Sequence, residues 1–172
     1  MPAIVPFGSR PGRFFSRGLL SFLLLLFIEI NAFSQNSAHT SFANLRMNDV
    51  NIHAVRHFLN NFSLATGVIW SKEENYFVAS FTSDHTRDKA YYKDNGNFAF
   101  CVKYYLADAL NGSVKSTILE KFPGCKIMLV TELTDLDSQT FIVNIKTGVY
   151  IKTLRCDEDG IEVTESIVDA GI

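Results

Sequence analysis

Two stretches of this chain change hydrophobic period in the same way. From Val114 the apolar residues fall at helical spacing, and at Phe122-Pro123-Gly124 the pattern switches to the alternation of a strand that runs on to Val130. An earlier stretch, Ala54 to Trp70, sets Phe58, Leu59 and Phe62 against Ile118, Leu119 and Phe122, with the switch at Ser63-Leu64-Ala65. Further on, Tyr76 to Phe81 answers Thr140 to Ile145, and Asp94-Asn95-Gly96 answers Glu158-Asp159-Gly160. The pattern predicts two tandem copies of a helix-then-strands unit, residues 49–109 and 110–172, together forming one domain over 49–172.

The first helix is expected from the N-cap Asn51 to Phe62, with Ile52, Val55, Leu59 and Phe62 on one stripe and Phe58 at its margin. Strands follow at 68–70, 76–81, 89–93 and 98–105, the last two forming a hairpin around Asn95-Gly96. Alternation buries Phe98, Phe100 and Val102 in the last of these, whereas the match between the two units buries Ala99 and Cys101. Ser113 is the expected cap of the second helix, which Pro123 ends at Phe122 because proline removes a donor and disfavours the helical state before it. Strands are expected at 126–133, 140–145, 149–156 and 161–168. The fold class is α+β: one antiparallel sheet with both helices on one face, the other face left for solvent or a partner.

Composition narrows the setting. Arg10, Arg13 and Arg17 precede the apolar run Leu19 to Ile28, and Ala32-Phe33-Ser34 supplies small residues at cleavage spacing, so residues 1–34 read as a secretory signal peptide cut before Gln35. A membrane anchor is the rival, but Glu29 and Asn31 interrupt the run short of the ~20 apolar residues of a bilayer span. Residues 35–48, rich in Ser, Asn and Thr, are expected to be a flexible tether. Three of the 16 Lys and Arg and one of the 18 Asp and Glu lie in residues 1–34, which leaves 13 against 17. A mildly acidic exported chain of about 138 residues with no basic run excludes a nucleic-acid partner, and no membrane span is expected in it.

Candidate chemistry is sparse. Cys101, Cys125 and Cys156 form no metal or redox motif; two of them pair in an oxidising compartment, or all three are small buried apolar residues. His53 and His57 have the i, i+4 spacing of a helical metal pair, yet no Glu follows His53, no third ligand is evident, and both fall opposite the apolar stripe. Asp157-Glu158-Asp159-Gly160 has its glycine two positions early for a calcium loop and Val168 where the closing Glu belongs; a solvated hairpin turn explains it, and loose calcium binding by Asp135, Asp137, Asp157 and Asp159 is the alternative. No serine or cysteine has the context of a nucleophile, and no phosphate-binding glycine loop is present. By alternation Trp70, Tyr76, Tyr91 and Tyr105 fall away from Phe77 and Phe81, where they are candidate partner-binding residues or cross-strand pairs that merely stabilise a sheet.

Asn48 to Phe58, the strand ending at Trp70, the hairpin Tyr91-Tyr92-Lys93-Asp94-Asn95-Gly96-Asn97 and the helix opening Val114-Lys115-Ser116 resemble the PepSY-like periplasmic proteins, also called beta-lactamase-inhibitor-like. The resemblance covers nearly all of the chain after the leader, and it departs at Leu110-Asn111, where relatives often carry Leu-Pro. It implies an antiparallel sheet built from two repeats with both helices on one side, and a periplasmic or secreted location; it implies no activity or cofactor. The expectation is therefore a non-catalytic binding module for a protein partner. A metal-dependent enzyme using His53 and His57, or an envelope structural component, are the alternatives.

Overall fold

The computed structural model describes residues 44–84 and 86–169. The expected signal peptide and residues 35–43 of the expected tether lie outside the described residues. Among the described residues a short 3₁₀ turn (Met47–Asp49) and two α-helices, α1 (Ile52–Asn61) and α2 (Gly112–Lys121), accompany eight strands: β1 (Thr66–Glu73), β2 (Tyr76–Ser83), β3 (Thr86–Lys93), β4 (Phe98–Tyr105), β5 (Lys126–Thr134), β6 (Gln139–Thr147), β7 (Tyr150–Asp157) and β8 (Gly160–Val168). The strands form a single antiparallel sheet in sequence order, β1 to β8.

This corrects the expected fold class of two tandem helix-plus-strand repeats. The molecule is strand-dominated, and β4 pairs directly with β5 from Cys101 opposite Thr134 to Tyr105 opposite Val130, so the sheet runs unbroken across the expected boundary. The helices contribute less than their sequence pattern promised because each spans only ten residues and buries few of them: Ala54, Val55 and Phe58 in α1, and Ile118 alone in α2. Ile52 and Leu59, expected on the buried stripe, are more than half exposed, and the apolar line of α1 runs through Ala54, Val55 and Phe58 instead.

Local chemistry explains the helix ends. Asn51 Oδ1 accepts from the His53 N–H at 2.9 Å. Asn111, not Ser113, caps α2, accepting from both the N–H and the hydroxyl of Ser113. Both helices lie on one face of the sheet. Under α1, Phe58 meets Trp70 and Phe81 edge-on at centroid distances of 5.5 and 5.1 Å, with Val50, Ala79, Ala90 and Tyr92 completing the cluster. Under α2, Ile118 packs with Val130, Val143, Ile145 and Leu154. Cys101, Cys125 and Cys156 are buried free thiols, and burial pushes Cys101 up to about 12 and Cys156 to about 11.

The β3–β4 turn is fixed by a close approach. Gly96 has φ +83°, and a Cβ there would lie 2.5 Å from Asn51 Oδ1 and 2.8 Å from His53 Cβ, while Asn51 Nδ2 donates to Asp94 O. Gly96→Ala is expected to cost about 2 kcal/mol in chemical denaturation, because backbone strain adds to a clash with the cap of α1. Gly148→Ala is the control: φ is +58° but the space is empty, so only the strain of ~1 kcal/mol should appear. Equal losses would remove the close approach as the cause.

Candidate functional site

The sheet face opposite the helices carries an aromatic group assembled by strand register. Val78 stands opposite Tyr91, and Tyr91 opposite Phe100. Tyr91 and Phe100 stack with centroids 4.4 Å apart, and Tyr76 meets both edge-on at 5.9 and 5.8 Å. Glu73 ties the group to charge: it accepts from Lys89 Nζ at 3.1 Å and from the Tyr91 hydroxyl at 3.4 Å. Burial, followed by the nearby Glu73 carboxylate, raises the Tyr91 phenol, which stays a donor at neutral pH. Tyr91 and Phe100 are buried and Tyr76 is half-buried. Tyr76 also lines a pocket of about 420 Å³ with Asn75, Lys93, Asp94 and Asn95, between the β1–β2 and β3–β4 turns.

The four expected site residues divide. Tyr76 and Tyr91 share this face; Trp70 and Tyr105 do not, which corrects their expected placement. Trp70 pairs with Ala79 and points at Phe58, buried under α1 with its Nε1 lacking an acceptor. Tyr105 pairs with Val130 in the cluster under α2, its hydroxyl donating to Glu132 Oε2 at 2.6 Å. Phe100, which the sequence reading left ambiguous, joins Tyr91 because β4 carries Ala99 as an extra residue: Tyr92 pairs with Phe98 and Tyr91 with Phe100, so two phenylalanines separated by one residue face opposite sides.

On the helix face a charged row crosses the centre of the sheet, where Asp88 stands opposite Lys103 and Lys103 opposite Glu132. Glu132 is well supplied, accepting from Tyr105, Gln139 and Thr134, with the Lys103 ammonium at 3.9 Å. Asp88 is not: the residue is 3% exposed and its Oδ1 has no donor. Burial raises its carboxyl, against a Thr86 hydrogen bond and the Lys103 charge that lower it, and Glu132 raises it further. Strand alternation alone gave no signal for this row, whose charges lie on the face expected to be apolar.

The histidines are not a pair. His53 is exposed, whereas His57, expected to point away from the core, lies against the sheet: its ring stacks on Phe98 at 4.9 Å and its Nδ1 is 3.1 Å from the Tyr92 hydroxyl. Burial lowers its pKa, so the neutral imidazole is favoured there. The acidic turns cap themselves. Asp135 Oδ1 accepts from the N–H groups of Asp137 and Ser138, Asp157 Oδ1 from that of Asp159, and Asp157 Oδ2 pairs with Arg155. Among the described residues no group of three His, Cys, Asp or Glu side chains converges on a point a metal ion would fill.

No helix of the described residues is long and apolar enough to cross a membrane. No protein-family model matches the chain, and no curated protein matches it. Solved structures do. A DUF2874 family protein from Bacteroides ovatus superposes with a TM-score of 0.54 at 14% identity, covering 69% of this chain and 87% of that one. A BLIP-like protein from Bacteroides fragilis gives 0.51 at 18% identity over 71% and 89%. A protein from Bacteroides eggerthii, provisionally described as periplasmic, gives 0.53 at 13% identity over 69% and 88%. At these identities the likeness is one of fold, and that fold is the beta-lactamase-inhibitor-like one.

Proposed function

We propose that the protein is an exported, non-catalytic binding module that engages a protein partner through the sheet face opposite its helices. One observation carries this reading: the Tyr76, Tyr91 and Phe100 group lies on a face that neither α1 nor α2 covers, and it emerges at Tyr76 beside a pocket between two hairpin turns. Tyrosine with an apolar body and a polar tip is what interface centres favour. Arg87 is exposed on the same face and Lys89 half-exposed, so a partner meets a mixed aromatic and basic rim. The setting is the periplasm or the extracellular space, supported by the leader pattern of residues 1–34 and by the provisional description of one structural neighbour. Within this fold the chain groups with the PepSY-like proteins, a placement that rests on the Asn48 to Phe58 and Tyr91 to Asn97 segments. Three thiols held protonated and a histidine occupied by Tyr92 and Phe98 favour binding over catalysis.

A photo-reactive residue at position 76, compared with one at the exposed Arg56 on α1, tests the face in the organism's own envelope extract. Cross-links confined to position 76, and a loss of about 30-fold in affinity for the captured protein on Tyr76→Ala with an unchanged melt, are the expected results. Equal capture from position 56, or full affinity in Tyr76→Ala, would sink the reading.

A further inference from the structure

The two edges of the sheet are treated differently. Along β1 the chain covers its own edge, since Leu45 forms an antiparallel bridge with Trp70 and its N–H donates to Trp70 O at 2.8 Å. At the other edge, among the described residues, nothing pairs with the outer side of β8. Every residue of β8 is exposed except the half-buried Ile161, on both faces of the sheet. Val163, Ile167 and Val168 are 42, 50 and 64% exposed, and Val149 and Tyr150 of the adjoining turn and strand are 60 and 46% exposed. A nine-residue edge strand without proline or lysine is a template for another strand unless something blocks it.

Charge and register decide what fits. From Cys156 to Ile172 the chain carries six Asp and Glu and no Lys or Arg. Thr164 is an extra residue in β8, because Leu154 pairs with Val163 and Thr153 with Glu165. That phase places Glu162, Glu165 and Ile167 on the face opposite the helices, and Val163, Ser166 and Val168 on the helix face. In an antiparallel pairing of two copies that matches like faces, the longest registers set Glu165 against Glu165, or Glu162 against Glu165. Like charges directly opposite each other destabilise a ladder. The glutamates therefore discourage self-association while leaving the edge open to a strand of opposite charge.

We propose that β8 is a strand-addition site for an extended segment of a basic partner polypeptide. The incoming strand would set Lys or Arg beside Glu162 and Glu165 on one face and apolar residues beside Val163 and Val168 on the other; main-chain bonds supply the affinity, and these side chains the specificity. This edge lies four strands from the nearest member of the aromatic group, Phe100 on β4, and the inference does not depend on the function proposed for that group.

The probe is a capped nonapeptide of alternating lysine and valine, titrated into the isotopically labelled protein while amide exchange and shifts are followed. Alternating glutamate and valine serves as one control, and the lysine peptide with a central proline as the other. The expected result is protection of alternate β8 amides, with shift changes confined to β7 and β8, weakened by salt. Glu162→Lys with Glu165→Lys should reverse the preference between the two charged peptides by about ten-fold, and Glu165→Lys alone should move it the same way by less. No β8 protection at about 1 mM peptide, equal binding of the proline peptide, or perturbation centred on Tyr76 would overturn the proposal. So would a concentration-dependent dimer of the protein alone that protects β8.

Discussion

Replacing Trp70 with alanine is expected to destabilise the protein by about 3 to 5 kcal/mol. The residue is 4% exposed, its ring meets Phe58 edge-on and Tyr92 at 5.7 Å, and its backbone carbonyl takes the bridge from Leu45. Its loss leaves a cavity between α1 and the sheet, where a ten-residue helix has few other contacts to close it. For a domain of this size the melt should fall by roughly 10 to 20 °C, and since whole domains are stable by only about 5 to 15 kcal/mol part of the population would be unfolded at 37 °C. Trp70→Phe separates packing from polarity. It keeps a ring against Phe58 and Tyr92 and removes an Nε1–H that has no acceptor, so it should lose no more than ~2 kcal/mol. A Trp70→Ala protein that melts like the wild type would mean that the indole is a surface anchor after all.

Trp70 also shows what the sequence made legible. Within an unbulged strand alternation assigns faces correctly: Phe77, Ala79 and Phe81 do meet the helix, as expected from their spacing. It does not carry across a turn. Glu73 pairs with Tyr76, so the even-numbered Trp70 lands opposite the odd-numbered Ala79 and shares its face. Tyr105 moved for a second reason, the bulge at Ala99, which reverses phase within β4 and has no signature in a small residue flanked by two phenylalanines. The Asn51 cap and the Pro123-Gly124 stop were readable because they act within a few residues of their own position, whereas Asn111 lost to Ser113, two positions on, as the expected cap of α2. The dominance of the sheet over the helices was not, because it depends on the β4–β5 pairing, set by contacts about 30 residues apart in the chain.

Glycine turns and the edge strand lie between these extremes. Gly96 was legible as a turn residue, but the reason nothing larger fits is the cap of α1, more than 40 positions earlier. The acidity of β8 is plain in the sequence; that it forms an uncovered edge is not.

Asp88→Asn is expected to stabilise the protein at neutral pH, by about 2 kcal/mol, and to do so less and less as the pH falls. Asp88 is a buried carboxylate with one oxygen lacking a donor, opposite Phe81 on one strand and Lys103 on the other. Its folded carboxyl titrates above the ordinary 3.8, chiefly through burial, with Thr86 and Lys103 opposing and Glu132 reinforcing the shift. In the unfolded chain the group ionises near its ordinary value. The folded state therefore holds the proton to higher pH, and wild-type stability falls as pH rises from about 4 through the folded value, then levels off. The amide carries no charge to desolvate, so urea melts of the two proteins should nearly coincide at pH 4 and separate as the pH is raised to 8. Glu132 would not behave in this way, because Tyr105, Gln139 and Thr134 already satisfy it; Glu132→Gln should cost stability at neutral pH instead. If Asp88→Asn instead destabilised the protein at neutral pH, and the loss faded as the pH fell, Asp88 would have to be a paired ion whose partner is Lys103. The contrast between these two carboxylates, one supplied with donors and one without, is the most direct measure of whether the charged row between the helices is a structural tie or a source of stored instability.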